Sequence, residues 1–283
     1  MTNAPKPPKP KDYDPHAVEI RPAATVLLVT DRPDLHVLMV HRAAKVVFAP
    51  DSWVFPGGRV DPEDHLDDFE VLCAGLSDEK ASEILDVERG GLAWWIAACR
   101  ETLEEAGLLL AAGGPVAPQT VSEVRKRVLE DESAFPDVLL EQKIRLDVTA
   151  IEEIARFITP LGPPRRFDAR FLVAHAPEGQ EPVHDEGEIV NWSWIRPAEA
   201  LERWAAGEMQ MMSPTVRMVA CLARFERAEE VMEVARQRLD YQRVRVHDPQ
   251  GEYRVVLPGE PDYETADLEV ETGWVRLWRP AQA

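Results

Sequence analysis

Cysteine is scarce and scattered: Cys73, Cys99 and Cys221 are all there is, and no two of them form a CxxC pair. That excludes a cysteine-based zinc site and supplies no disulfide framework, so a reducing, cytoplasmic setting is expected. No uninterrupted apolar run approaches the ~20 residues of a membrane span. The stretch from Met1 to Pro15 has no apolar segment of the signal-peptide kind. Basic residues are in deficit, 32 against 51 acidic ones, leaving a net charge of −19. Such a surface repels nucleic acid and anionic membranes, because neutralising phosphates takes clustered Lys and Arg. It still admits a small phosphate ligand if a cation bridges the two negative partners. What the chain does have is length and apolar content: 283 residues, 45% hydrophobic, enough for one large domain or two small ones.

Residues 1–21 read as a disordered arm rich in Pro and Lys. Ala24–Val29 and Val37–Val40 are β-rich runs on either side of the turn Asp31-Arg32-Pro33-Asp34, which reads as a hairpin. A short strand at Trp53–Phe55 runs into Pro56-Gly57-Gly58, a chain-reversal signal. In the acidic stretch 64–92, Leu66, Phe69, Leu72 and Leu76, then Ala81, Ile84 and Leu85, suggest two short amphipathic helices. A longer helix follows from Leu92 and ends at the cap residue Gly107. Further helices are expected over 121–130, 137–155, from Pro197 and over 214–239, with strands at 170–175 and 189–195. Beyond Arg243 short strands recur around the turn Asp248-Pro249-Gln250-Gly251.

The chemistry concentrates on the helix carrying Arg100-Glu101-Thr102-Leu103-Glu104-Glu105-Ala106-Gly107. At about 100° per residue, Glu101, Glu104 and Glu105 fall within an arc of about 100°. Trp95, Cys99, Thr102, Leu103 and Ala106 form the opposing apolar stripe. Three carboxylates on adjacent turns repel one another. A hard cation with oxygen ligands relieves that repulsion, and Mg²⁺ typically binds one or two carboxylates together with substrate phosphates. Arg100 stands one turn before Glu104, placed to orient that carboxylate. Taken singly, an acidic pair on a helix or a Pro-Gly-Gly turn is ordinary; the combination is not.

Phe55-Pro56-Gly57-Gly58 followed by Arg100–Leu108 resembles the Nudix box, Gly-x5-Glu-x7-Arg-Glu-U-x-Glu-Glu-x-Gly-U with U aliphatic. Val40-His41-Arg42 and Trp192–Leu201 also resemble Nudix domains, and the likeness covers roughly residues 22–225. Two departures stand out. The first box glutamate falls on Asp64, and Thr102 replaces an aliphatic residue. Asp64 also lies 36 positions before Arg100 where the pattern has eight, which marks a long insertion inside the box. Loop closure costs little extra with length, so both halves can still meet. The insertion is expected to fold over the rim of the pocket, so that deleting 66–89 would alter substrate preference more than stability. Nudix proteins with such an insertion include the peroxisomal coenzyme A diphosphatases. Here, however, His41–Phe48 stands in place of their coenzyme A signature, and Ala281-Gln282-Ala283 is no peroxisomal address.

The resemblance implies a Nudix-type α/β/α sandwich with a mixed β-sheet. The Nudix domain would span 22–242, with the inserted helical segment at 64–92 and a C-terminal β-rich extension over 243–283. It implies Mg²⁺, or Mn²⁺ in its place, held by Glu101, Glu104 and Glu105. Glu104 and Arg100 would take part in catalysis, with Glu188 as a further loop carboxylate and Glu186 as its rival. Gly57 and Gly58 would let substrate approach the backbone, and Arg42 and Arg165 would meet its phosphates. His41, His175 and His184 could each serve as a general base, but each is isolated and reads first as an ordinary surface or core histidine. The implied activity is hydrolysis of a diphosphate linkage in a nucleoside diphosphate derivative, with coenzyme A or its thioesters as a lead. The competing reading is a catalytically silent Nudix-fold module that binds a nucleotide and regulates. Loss of a glutamate from the helix would mark it, and all three helix glutamates are present, leaving only Asp64 and the insertion in its favour. No nucleic acid or membrane partner is expected, while exposed strands after 243 could pair across a two-fold axis into a homodimer.

Overall fold

A computed structural model describes residues 13–65, 69–183, 187–247, 254–266 and 272–278. The chain opens with β1 (Ile20–Asp31), β2 (Leu35–Arg42), β3 (Trp53–Val54) and β4 (Gly57–Arg59). Helices α1 (Phe69–Leu72), α2 (Asp78–Leu85), α3 (Leu92–Ala106), α4 (Pro118–Glu130) and α5 (Phe135–Gln142) follow. Next come β5 (Glu152–Ile158), β6 (Arg166–His175), β7 (Ile189–Ile195), α6 (Pro197–Ala205), α7 (Ser213–Leu222) and α8 (Ala228–Arg236). Among the described residues four short strands follow: β8 (Gln242–Arg243), β9 (Arg245–His247), β10 (Arg254–Val256) and β11 (Thr272–Val275).

Among the described residues the main sheet runs β3-β2-β1-β6-β5-β11-β8, with β4 paired to β1 and β7 to β2. It is mixed, because β1 runs parallel to β6 while β1 and β2 form the expected antiparallel hairpin. Alternation along β1 sends Ala24, Val26 and Leu28 into one core with α3, and Leu27 and Val29 into another with α7 and α8. Helices on both faces give the α/β/α sandwich read from the box.

Several elements depart from the sequence reading. Residues 143–158 do not continue the helix expected over 137–155: α5 stops at Gln142, Lys143 turns left-handed at φ 54°, and β5 begins at Glu152. A register shift between Glu153 and Ala155 breaks the period of two that would have revealed this strand. The helix expected over 214–239 is two, α7 and α8. Its break carries neither Gly nor Pro and is tertiary: Glu226 C=O accepts from Leu35 N–H at 2.9 Å, and Ala228 N–H donates to Asp31 Oδ1 at 2.8 Å. The reversal signalled by Pro56-Gly57-Gly58 is present: β3 is antiparallel to β2 and β4 to β1, so the chain turns back at Phe55-Pro56, with both glycines already in β4. The arm expected over 1–21 overlaps β1 from Ile20, and Tyr13 Oη already donates to Gly162 C=O at 2.5 Å.

Two larger corrections follow. The inserted segment is not a flap. Phe69, Leu72, Ala81 and Leu85 share one core with Trp95, Ile96 and Leu103 of α3, and the chain is stitched in by Leu146 N–H to Leu72 C=O at 2.8 Å. Leu66, expected to join them, lies outside the described residues. The C-terminal extension is not an appendage either. β11 pairs with β5 on one side and β8 on the other, and Val244, Leu257, Val275 and Leu277 are core residues. Both edges of β11 are therefore taken, which removes it from the strands expected to pair across a two-fold axis.

Candidate active site

α3 needs no polar cap to begin with, because Asp78 of the insertion supplies one: its carboxylate accepts from Gly90 N–H and Leu92 N–H at 2.9 Å each. The helix stops at Gly107, left-handed at φ 67°. Between these ends its polar residues are far more buried than a solvated face would be. Arg100 is 3% exposed and Glu105 7%.

Arg100 organises the cluster. Its Nε and Nη2 donate to the two oxygens of Asp64 at 3.0 Å each, a planar fork on a carboxylate. Nη2 also reaches Arg59 C=O at 3.1 Å, and Nη1 reaches Glu101 Oε1 at 3.1 Å and Glu104 Oε2 at 3.3 Å. Asp64 thus stands where the box places its first glutamate and grips the same arginine, despite the insertion. The guanidinium is committed to protein acceptors. It holds Glu104, as expected, but as a positioning group rather than one that reaches into solvent.

On the other side, Glu105 Oε2 accepts from Gly57 N–H at 2.9 Å, and its Oε1 pairs with Arg42 Nη1 at 3.2 Å. Arg42 Nη2 continues to Glu188 Oε2 at 2.9 Å. The loop carboxylate chosen from sequence is therefore tied to the cluster through Arg42. Both glycines are needed here for close approach. A Cβ on Gly57 would lie 2.3 Å from Ala24 O at φ 153°, and one on Gly58 would lie 2.1 Å from Glu101 Oε1.

Burial pushes Glu101 up to about 7, Glu104 up to about 8 and Glu105 up to about 8, with mutual repulsion adding to each of the last two. A carboxyl group whose pKa rises on folding contributes its stability at low pH and loses it as pH climbs through the folded value. The metal-free protein is therefore expected to lose Tm between about pH 5 and about pH 8. Buried Glu153, up to about 7, adds to the fall with the same sign. Mg²⁺ should restore more at about pH 8 than at about pH 5, because only ionised carboxylates bind it. Equal metal-induced shifts in Tm at both pH values would contradict this.

The donor set suits a hard divalent cation: three desolvated oxygen donors on one helix, with a fourth carboxylate beside them. Among the described residues no group of three or more His, Cys, Asp or Glu is already gathered as a cation site. Arg100 and Arg42 take up the carboxylates instead. A cavity of about 370 Å³ opens next to Arg100, walled by Arg59, Asp61, Glu63 and residues 129–133.

Other sequence candidates fall elsewhere. Arg165 is exposed in the β5–β6 loop, and the cluster's ion pairs and hydrogen bonds do not include it. His41 stacks on Trp53 at 4.8 Å and pairs with Asp51, and His175 pairs with Glu229. Glu186 and His184 lie outside the described residues. Sequence reasoning missed Asp61, whose Oδ2 accepts from Arg100 Nη2 at 3.3 Å, and Arg125, whose guanidinium donates to Glu104 C=O. Asp61 three residues before Asp64 was the available sign of a polar turn. Arg125 gave none, being one of several basic residues on a helix with a polar face.

A mixed sheet sandwiched by helices, with a box helix whose arginine clamps the acid of the turn that follows a Gly-Gly strand, defines a Nudix hydrolase. Residues 20–222 match the family model described as the NUDT19 Nudix domain, most of the chain, and the protein belongs to that family. Acyl-coenzyme A diphosphatase NUDT19 of Gallus gallus is 28% identical over 260 residues, 72% of this chain and 68% of that protein. Its Homo sapiens counterpart is 27% identical over 66% of this chain and 60% of its own length. The chain thus spans about two thirds or less of the relatives it matches. The crystal structure of a NUDIX hydrolase from Alicyclobacillus acidocaldarius aligns with a TM-score of 0.63 at 28% identity, covering 77% of this chain and 97% of that one.

Proposed function

We propose that the protein is a divalent-metal-dependent diphosphatase acting on a nucleoside diphosphate derivative, with coenzyme A or its thioesters as the substrate class. The observation that carries this reading is that the box end of α3 presents Glu101 and Glu104, held by Arg100, and Glu105, held by Gly57 N–H, beside the Gly57–Gly58 strand. The names of the avian and human relatives favour coenzyme A esters. Mg²⁺ is the expected ion and Mn²⁺ a substitute. When bound by the three glutamates it would neutralise phosphoryl oxygens and make a coordinated water acidic.

The chain's own groups do the rest. Arg100 and Asp64 fix the azimuth of α3, so the glutamates face the Gly57–Gly58 strand. The glycines let the β1 main chain and the Glu101 carboxylate close against this strand. Arg42, 12% exposed at its side chain between Glu105 and Glu188, can exchange a carboxylate for a phosphate oxygen. Glu188 is 62% exposed at its side chain, against 14%, 12% and 9% for Glu101, Glu104 and Glu105. It is the carboxylate best placed to receive the proton from attacking water. Three buried thiols suit the reducing, cytoplasmic setting that we also propose.

The test is a Mg²⁺-dependent hydrolysis screen over coenzyme A, acetyl-coenzyme A, ADP-ribose, NADH, diadenosine polyphosphates and nucleoside triphosphates. Glu104→Gln serves as the control. Cleavage of coenzyme A esters by wild type and not by the variant is the expected result. Cleavage of another compound alone would replace the substrate class, and silence with tight nucleotide binding would favour the regulatory module.

A further inference from the structure

The glutamates proposed to hold metal sit in the last turns of a helix, where main-chain carbonyls run out of partners. Gly107 settles two of them: its own N–H reaches Leu103 C=O at 2.9 Å, and Leu108 N–H reaches Thr102 C=O at 3.4 Å. The carbonyls of Glu104 and Ala106 are held from outside the helix. Arg125, on α4, donates to Glu104 C=O from Nη2 at 2.8 Å and from Nε at 3.2 Å. Val183, in the segment before β7, donates its N–H to Ala106 C=O at 2.8 Å. Nothing in the box supplies either donor.

Two donors from one planar guanidinium fix both the position and the tilt of a carbonyl, which a single donor does not. The cation also sits at the negative end of the α3 dipole. Gly107 is needed for its left-handed φ of 67°, and a Cβ there would meet Arg125 Nη1 only at an ordinary contact distance of 3.4 Å. The main chain that Arg125 grips is that of Glu104 itself, one residue from Glu105. A twist of this turn would move both carboxylates relative to Glu101, which lies one turn back and is anchored by Arg100.

We propose that Arg125 is a positioning residue for the reaction: by clamping the Glu104 carbonyl it sets the spacing of the metal-binding carboxylates. The proposal rests on the diphosphatase reading, and its primary readout is metal binding, which needs no turnover. The full-length protein is titrated with Mn²⁺ as wild type, Arg125→Ala, Arg125→Lys and Val183→Pro, and metal-free Tm, kcat and KM are recorded alongside. Arg125→Ala should weaken Mn²⁺ binding by about tenfold and lower kcat by a similar factor with KM little changed, on the scale of lost support to a metal ligand. Arg125→Lys, which keeps the charge and one donor, should recover part of both. Val183→Pro, which removes the second external donor, should shift both the same way by less.

If Arg125→Ala lowers Tm yet binds Mn²⁺ like wild type, the residue is only a helix clamp and the proposal is overturned. If that variant does not fold, Arg125→Lys decides the matter: wild-type Mn²⁺ affinity in it overturns the proposal, and a weakened affinity supports it. Wild type that binds Mn²⁺ but cleaves no diphosphate would sink the diphosphatase reading while leaving the positioning role to stand or fall on the titrations. Wild type that binds no Mn²⁺ would overturn both.

Discussion

Glu104→Gln is expected to lower kcat by about 10²–10³-fold, the scale on which removal of one preorganised electrostatic contact acts, and to leave the metal-free protein no less stable above neutral pH. The two halves share a cause. Burial raises Glu104 to about 8, with repulsion from Glu101 and Glu132 adding to it, so at pH 8 the folded protein bears the cost of ionising it. A glutamine keeps an acceptor for Arg100 and for the packing around it but carries no charge to desolvate. Function should fall while metal-free Tm holds or rises, and the increment in Tm from Mg²⁺ should shrink. Near-normal turnover would remove Glu104 from the site. A large loss of metal-free Tm would mean that its charge supports the fold, contrary to the direction of the shift.

Deleting residues 69–89 is expected to abolish cooperative folding. Phe69, Leu72 and Leu85 are each 2% exposed or less, in one core with α3. Emptying a single such site costs about 2–5 kcal/mol, against a total stability of about 5–15 kcal/mol for a typical domain. The deletion also removes Asp78, which caps the start of α3, and Leu85 C=O, which accepts from buried Arg170 Nη2 at 2.9 Å. Circular dichroism and a thermal scan would show the loss directly. A folded deletion variant with altered substrate preference would restore the flap that the sequence suggested.

The box was legible because its signals are local. Arg100 to Gly107 fixes a helix, a glycine stop and three carboxylates on one arc, and the structure keeps all of them. Asp64 was legible as the displaced first acid, since position and charge agree. Glu188 drew notice from its place before β7, and the structure pairs it with Arg42. Harder to read was whatever depends on distant partners. Acidic 64–92 looked like surface because its apolar residues are few, yet those few are placed to meet α3. β5 was hidden by a bulge and by Glu152 and Glu153, which are buried at 7% and 1% exposure beside Arg238, Arg170 and Arg276 from distant parts of the chain. Arg125 acts on a carbonyl, and no pattern of side chains announces a main-chain partner.

The place of β11 has a consequence for how the molecule comes to be. Trp274 sits opposite Arg156 across a ladder that joins positions more than a hundred residues apart, and contacts of such span form late. A nascent chain that has not yet made Thr272–Val275 presents β5 as a bare edge with unpaired amides and carbonyls, open to strands of other chains. Synthesis passes through a window of vulnerability that closes only when this four-residue strand arrives to take its seat.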